Sequence, residues 1–190
     1  MTATAHILTQ SPQHIVLNDV SWGLYTHLLD EVSDRAIRLT YDNGNLEIMS
    51  PRLPQEKWKT RIARMTELLA LELDIAMETL GSTTFRREDL LKGLEPDECY
   101  YFAHAADVRG KDVLDLTIDP PPDLAIEVNV WSRSIAREPI YAAIGVPELW
   151  RVSERRFAVL HLGTDGQYHE SQDSLSFPFL PVDTFKRTDV

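Results

Sequence analysis

The chain has 190 residues, of which 43% are hydrophobic, and a formal net charge of −11, values typical of a globular protein with one sizeable core. The acidic charge counts against a protein that coats nucleic acid through a general positive field, so any contact with phosphates must come from a local basic patch or bound cations. Cys99 is the single cysteine, no apolar run approaches the ~20 residues of a membrane span, and the N-terminus lacks the features of a signal peptide. These features predict a cytoplasmic protein without membrane contact.

The first elements in chain order are a loose arm, a helix and a hairpin. Residues 1–17 are expected to form the arm, and residues 18–190 one domain. Apolar residues at helical spacing predict an amphipathic helix within 18–36. The segments "IRLTY" and "NLEIMS" predict two strands, and Asn43-Gly44 between them supplies the positive φ angles of a tight hairpin turn.

The rest of the chain alternates predicted helices and strands. A long helix is expected after Pro54, where apolar residues again recur at helical spacing, and a short helix is expected to begin near Pro139 and to end at Gly145. The segment "EDLLKGLEPDE" reads as a turn, and the tail "FPFLPVDTF" is expected to pack back on the body. Further strand candidates are "STTFRR", "CYYFA", "DLAIEVNV", "ELWRVS", "RFAVLHLG" and "DGQYHES". The pattern predicts a central mixed sheet flanked by helices.

One of these strands, "DLAIEVNV" at residues 123–130, carries polar side chains on one face. Because side chains alternate across a strand, Glu127 and Asn129 share a face with Asp123, while the other face is aliphatic. We expect the aliphatic face to be the core. The carboxylate on the opposite face then lies in solvent, pairs with a cation or lines a site.

A second acidic residue of interest is Asp97, which follows Pro96 directly before a strand candidate. Asp97 and Glu127 can meet at the ends of adjacent strands, and two converging carboxylates suit Mg²⁺, which also accepts phosphate oxygens. That is the chemistry of phosphodiester cleavage. An ordinary Pro-Asp turn and a solvated glutamate on an edge strand explain the same residues without a metal.

Four segments in order, "RLTYDNGNLEIMSP", "GSTTFRREDLLKGLEPDECYY", "PPDLAIEVNVWSRSI" and "PIYAAIGVPELWRV", resemble the Uma2 family. This family belongs to the PD-(D/E)XK nuclease superfamily, and the resemblance extends from about residue 20 to the C-terminus. It implies an α/β (α+β) fold with a restriction-endonuclease-like core, in which helices flank a mixed central sheet. It also implies an endonuclease that cleaves DNA with Mg²⁺, for which Mn²⁺ can substitute.

The resemblance assigns roles to individual residues. Asp97 matches the metal-binding aspartate of the superfamily motif, and Glu127 matches its second acidic residue. The motif's lysine falls at Asn129, which would orient water or a ligand, and a basic residue of the following helix, Arg137, would contact the scissile phosphate. A guanidinium with a pKa above ~12 cannot serve as a general base.

The start of the long helix departs from the family pattern. Relatives commonly have His-Glu there, whereas this chain has Glu56-Lys57. Glu56 is a candidate third metal-binding carboxylate. Glu47 on the hairpin is another candidate, for which a solvated strand residue is at least as good an interpretation. Asp123 imitates the Pro-Asp motif but is expected only to begin its strand, since about 13 Å separates it from Glu127 at ~3.3 Å per residue.

Two alternatives to the nuclease hypothesis remain. The altered motif positions and the charge of −11 also fit a catalytically impaired nuclease-fold protein that binds nucleic acid or a protein partner. The other alternative is an interaction module whose sheet edges and exposed tryptophans serve homodimerisation. A homodimer is expected in either case from the resemblance, since many relatives of this fold dimerise, and two sites in a dimer can address the two strands of a duplex.

Overall fold

The computed structural model describes residues 14–51, 53–128, 134–180 and 182. The helices of this part of the chain are α1 Trp22–Val32, α2 Leu53–Glu72, α3 Ala105–Val108 and α4 Glu138–Ile144. Its strands are β1 His14–Leu17, β2 Arg38–Asp42, β3 Asn45–Met49, β4 Glu78–Thr79, β5 Phe85–Arg87, β6 Lys92–Leu94, β7 Glu98–Tyr101, β8 Leu124–Val128, β9 Glu148–Ser153, β10 Arg156–Leu162 and β11 Tyr168–Ser171.

Among the described residues the strands form two sheets. The first has the order β1-β3-β2-β6-β5, and the second has the order β11-β10-β9-β8-β7-β4. All pairings are antiparallel except that of β8 with β9, which is parallel. A parallel pair needs a crossover connection, and α4 lies in that connection. The prediction of a mixed α/β architecture with a restriction-endonuclease-like core is confirmed.

The predicted hairpin and the predicted helix end are also confirmed. Asn43 and Gly44 have φ angles of 47° and 86° between β2 and β3, and Gly145 ends α4 with a φ of 91°. The arm differs from expectation at its end: residues 14–17 pair with β3 as an exposed edge strand. Of the helices described here, none combines the length and apolar character needed to cross a membrane.

Both faces of β8 are buried, because the second sheet lies between helices. Leu124, Ile126 and Val128 belong to a core with residues of α2 and with Trp150. On the other face, Ala125 packs with α4. The face of β8 that carries Glu127 is therefore covered by protein.

The segment predicted as a turn before Asp97 contains a short strand, β6, which joins β2 to β5. Sequence patterns did not indicate this strand because it is short and has a glycine at its centre. Gly93 lies against the ring of Tyr25 from α1, and a Cβ atom at this position would lie 2.1 Å from Tyr25 Oη. The close contact between α1 and the first sheet requires glycine here.

We therefore expect Gly93→Ala to lower the free energy of unfolding by about 1–3 kcal/mol, since overpacking a filled core forces side chains or backbone to shift. Urea unfolding followed by tryptophan fluorescence measures the change. Gly23→Ala in α1 is the control, because no atom lies within 4 Å of its added Cβ, and its stability should equal or exceed that of the wild type. Equal stability of Gly93→Ala and the wild type would contradict the packing described here.

Candidate active site

Asp97 is buried and makes hydrogen bonds to β8 on both sides of Glu127, one through its backbone N–H and one through its carboxylate. The Asp97 backbone N–H donates to Ile126 O at 3.1 Å, and its Oδ2 accepts the Val128 N–H at 2.7 Å. The register of β7 and β8 pairs Glu98 with Ile126, so that one more step places Asp97 opposite Glu127. Asp97 and Glu127 therefore lie on neighbouring segments of the backbone, as expected from the sequence.

The other oxygen of Asp97 connects β8 to the first sheet and to α2. Asp97 Oδ1 accepts hydrogen bonds from Arg38 Nη1 on β2 and from Gln55 Nε2, the latter at 2.8 Å. Arg38 Nη2 lies 3.4 Å from Glu56 Oε1 in the first turn of α2. A buried ion pair thus links the two sheets at the position where the chain leaves β6 for β7.

Glu127 has a buried cation and a buried hydroxyl as neighbours. Its Oε1 accepts a hydrogen bond from the Tyr141 hydroxyl and lies 3.2 Å from Arg137 Nε. Arg137 Nη2 in turn donates to the backbone oxygen of Glu95, and the guanidinium carbon lies 5.8 Å from the centre of the Tyr141 ring. Glu127 therefore does not lie in solvent but pairs with a cation, Arg137.

Arg137 is buried and charged. Burial is the strongest influence and by itself lowers the pKa of Arg137, but the nearby groups Glu127, Tyr141, Asp97 and Glu47 together raise this pKa above its usual value. The three carboxylates and the tyrosine therefore act on one guanidinium at the start of α4.

The structure corrects the interpretation of Glu47 as a solvated strand residue. Glu47 on β3 is buried, and its Oε1 accepts the backbone N–H of Ser134 at 2.9 Å. Its Oε2 is also buried and has no hydrogen-bond partner among the residues that the structure describes. Glu47 therefore adds a third buried carboxylate to the site.

The remaining candidates are placed as follows. Glu56 lies at the edge of the site with its side chain 44% exposed, and Asn129 lies outside the described residues. Asp123 bonds to the backbone N–H groups of Phe102 and His104 at 2.7 and 3.1 Å, and its Oδ1 lies 2.6 Å from His104 Nδ1. The expectation that Asp123 only begins its strand agrees with these contacts.

Sequence reasoning missed Arg38, Gln55 and Tyr141. Tyr141 lies four residues after Arg137, the spacing that places two side chains on one face of a helix, and this spacing could have identified it. Arg38 and Gln55 carry no such local signal, because each reaches Asp97 only through the packing of separate elements.

The donor set fits a hard divalent cation held by few ligands. In the described part of the chain, no three His, Cys, Asp or Glu side chains form a group that could hold a metal ion. Mg²⁺ needs only one or two carboxylates, since water and phosphate oxygens complete its shell. Asp97, Glu127 and Glu47 are buried carboxylates, and Oε2 of Glu47 has no hydrogen-bond partner among the described residues. A buried carboxylate oxygen without a donor is costly unless a cation approaches it.

A mixed sheet with Asp97 directly before β7 and Glu127 near the end of β8, next to the buried Arg137, is the arrangement of restriction-endonuclease-like proteins. Members of this class generally use a divalent metal. The model of the Uma2 family, described as "Putative restriction endonuclease", matches residues 22–186. The chain belongs to the Uma2 family. No curated protein matches the sequence.

Proposed function

We propose that the protein is a Mg²⁺-dependent endonuclease that hydrolyses phosphodiester bonds in DNA, with Mn²⁺ as an effective substitute. The observation that carries the proposal is the placement of buried Asp97 opposite Glu127, next to the buried cation Arg137. Membership of a family described as "Putative restriction endonuclease" supports the same chemistry.

In this proposal Asp97 and Glu127 hold the metal, and Glu56 is a third carboxylate at the more exposed edge of the site. A bound Mg²⁺ would polarise a phosphate oxygen and lower the pKa of water. Asn129, two positions beyond Glu127 in the sequence, orients water or a ligand through its amide.

Arg137 stabilises negative charge on the scissile phosphate. Its planar guanidinium offers several N–H donors in a geometry that matches phosphate oxygens, and its raised pKa keeps it charged at every pH relevant to activity. Because it does not release its proton, it contributes charge and hydrogen bonds and takes no part in proton transfer. The hydrogen bond to Glu95 O and the contact with Glu127 hold the guanidinium in place.

Incubation of supercoiled plasmid with the protein tests this proposal. We expect nicked and linear products with Mg²⁺ or Mn²⁺ and none with excess EDTA. Single-stranded DNA and RNA of matching sequence, run in parallel, test the choice of duplex DNA as substrate. The absence of cleavage on every substrate and with both metals would contradict the proposal.

One observation favours a second candidate, a catalytically impaired nuclease-fold protein that binds nucleic acid or a protein. Asp97 already accepts hydrogen bonds from Arg38, Gln55 and Val128, so its oxygens are stabilised without a metal. DNA binding measured by fluorescence anisotropy separates the two candidates. Binding that persists without cleavage and is insensitive to Mg²⁺ supports the second.

We also propose that residues 18–190 form one domain and that two copies associate through α2. Asp97 makes hydrogen bonds to β2 of the first sheet, to α2 and to β8 of the second sheet. These contacts join the two sheets and support one domain. The outer face of α2 exposes Leu68 and Leu71 at 57% and 73%. On the same helix Arg61 precedes Glu72, so an antiparallel second copy would place each arginine opposite the other copy's glutamate, with Leu68 near the centre and Leu71 beside the glutamate.

We expect Leu68→Glu to convert this homodimer to a monomer, since it places a charge at the centre of an apolar contact. Sedimentation velocity at several concentrations measures the change. Ile118→Glu is the matched control, because Ile118 is 82% exposed and lies outside α2. A wild-type protein that sediments as a monomer at high micromolar concentration would contradict the dimer.

A further inference from the structure

The position of Arg38 has a consequence for metal binding, if the proposed function holds. The Arg38 side chain is 7% exposed, and it contacts Asp97, which is fully buried, and Glu56, which is 44% exposed. Its two terminal nitrogens each approach one carboxylate. Arg38 therefore spans two of the carboxylates proposed as metal ligands.

The hydrogen bonds on Asp97 limit how a metal ion can reach it. A carboxylate oxygen has about two lone-pair sites, and Asp97 Oδ1 already accepts from both Arg38 Nη1 and Gln55 Nε2. Coordination through Oδ1 therefore requires one donor to leave. Gln55 is neutral, whereas the charge of Arg38 repels an arriving cation at short distance. The donor that opposes the metal is Arg38.

The same guanidinium stabilises the buried Asp97 carboxylate. Removal of one partner from a buried ion pair leaves an uncompensated charge, which is strongly destabilising. Arg38 supplies positive charge to Asp97 and also contacts Glu56, so it connects β2 with the residue before β7 and with α2.

We propose that Arg38 is a positioning residue that acts as an internal counter-ion and exchanges with the divalent cation. In the metal-free protein Arg38 occupies the position between Asp97 and Glu56. Binding of Mg²⁺ to these carboxylates displaces the guanidinium from Asp97. This proposal rests on the proposed function, because it assumes that Asp97 binds the metal.

Calorimetric titration with Mg²⁺ tests the exchange in the wild type, Arg38→Met and Asp97→Asn. We expect Arg38→Met to bind Mg²⁺ at least tenfold more tightly than the wild type, since the metal no longer competes with a cation. Arg156→Met is the matched control, because Arg156 pairs with Glu170 at the surface, and it should bind as the wild type does.

The outcomes separate the inference from the proposed function. Wild-type binding that Asp97→Asn abolishes, without tighter binding by Arg38→Met, overturns the exchange alone. The absence of Mg²⁺ binding by the wild type and Arg38→Met alike, or binding that is independent of Asp97, overturns both.

A measurement on the wild type keeps the inference testable if Arg38→Met does not fold. Arginine-selective ¹⁵N spectra report the side-chain signals of Arg38, identified by their loss in Arg38→Lys. We expect these signals to move or broaden on addition of Mg²⁺, while those of Arg156 remain unchanged. Arg38 signals that stay constant at saturating Mg²⁺ overturn the exchange.

Discussion

Replacing Arg137 with alanine is expected to lower the free energy of unfolding by about 3–5 kcal/mol, because it removes one partner of a buried ion pair. Arg137 is 6% exposed and Glu127 is 3% exposed, so solvent cannot compensate the carboxylate that remains. The substitution also removes the hydrogen bond to Glu95 O and the packing against Tyr141. Arg137→Lys keeps the charge and loses the fixed planar donors, and we expect it to be less destabilising.

A surface arginine on β9, the strand next to β8, provides the control for this prediction. Arg151 pairs with Glu138 at 2.6 Å, and the two side chains are 49% and 42% exposed. Exposed pairs of this kind contribute about 0–1 kcal/mol, so Arg151→Ala should hardly change the free energy of unfolding measured in guanidinium chloride. A loss in Arg137→Ala no larger than that in Arg151→Ala would show that the buried pair is not important for stability.

The second large effect is expected on activity. If Glu127 holds the metal, Glu127→Gln should reduce plasmid cleavage by about a hundredfold or more, as the removal of a charge-stabilising group from an active site commonly does. The substitution keeps the shape of the side chain and an oxygen that accepts from the Tyr141 hydroxyl. Because Arg137 loses its buried ion-pair partner in this variant, we expect a lower stability, and cleavage is compared per folded molecule, with the folded fraction measured by near-ultraviolet circular dichroism.

The neighbouring strand offers a matched glutamate for this experiment. Glu148 on β9 is fully buried like Glu127 and bonds to Trp150 Nε1 at 2.8 Å and to Ser176. Because its partners lie outside the site, Glu148→Gln should cleave at the wild-type rate per folded molecule. Equal losses from the two substitutions would mean that burial of a glutamate, and not its place in the site, determines activity.

Much of the fold could be predicted because its signals are local. Asn43-Gly44 fixes a hairpin, Gly145 ends a helix, and the alternation in β8 separates Glu127 from the aliphatic face. Each feature depends on a few adjacent residues. The short strand around Gly93 was missed because it exists through its pairing with β2 and β5.

The site could be predicted only in part, since burial depends on distant elements. Alternation in "NLEIM" places Glu47 on one face of β3 and Leu46 and Ile48 on the other face, which is correct. It does not reveal that the face with Glu47 is buried, where the Ser134 N–H donates to the carboxylate. Arg38 likewise reads as an ordinary strand residue, and its pairing with Asp97 joins residues far apart in sequence. These contacts arise from the packing of the two sheets.

The most direct test compares the two aspartates that follow proline, Asp97 and Asp123. Both precede a strand of the second sheet, but Asp97 lies opposite Glu127, whereas Asp123 bonds to His104 and to backbone N–H groups. Plasmid cleavage with Mg²⁺ is measured for Asp97→Asn and Asp123→Asn at equal amounts of folded protein. We expect Asp97→Asn to lose about a hundredfold or more in rate and Asp123→Asn to retain wild-type cleavage. Wild-type cleavage by Asp97→Asn would contradict the assignment of the active site.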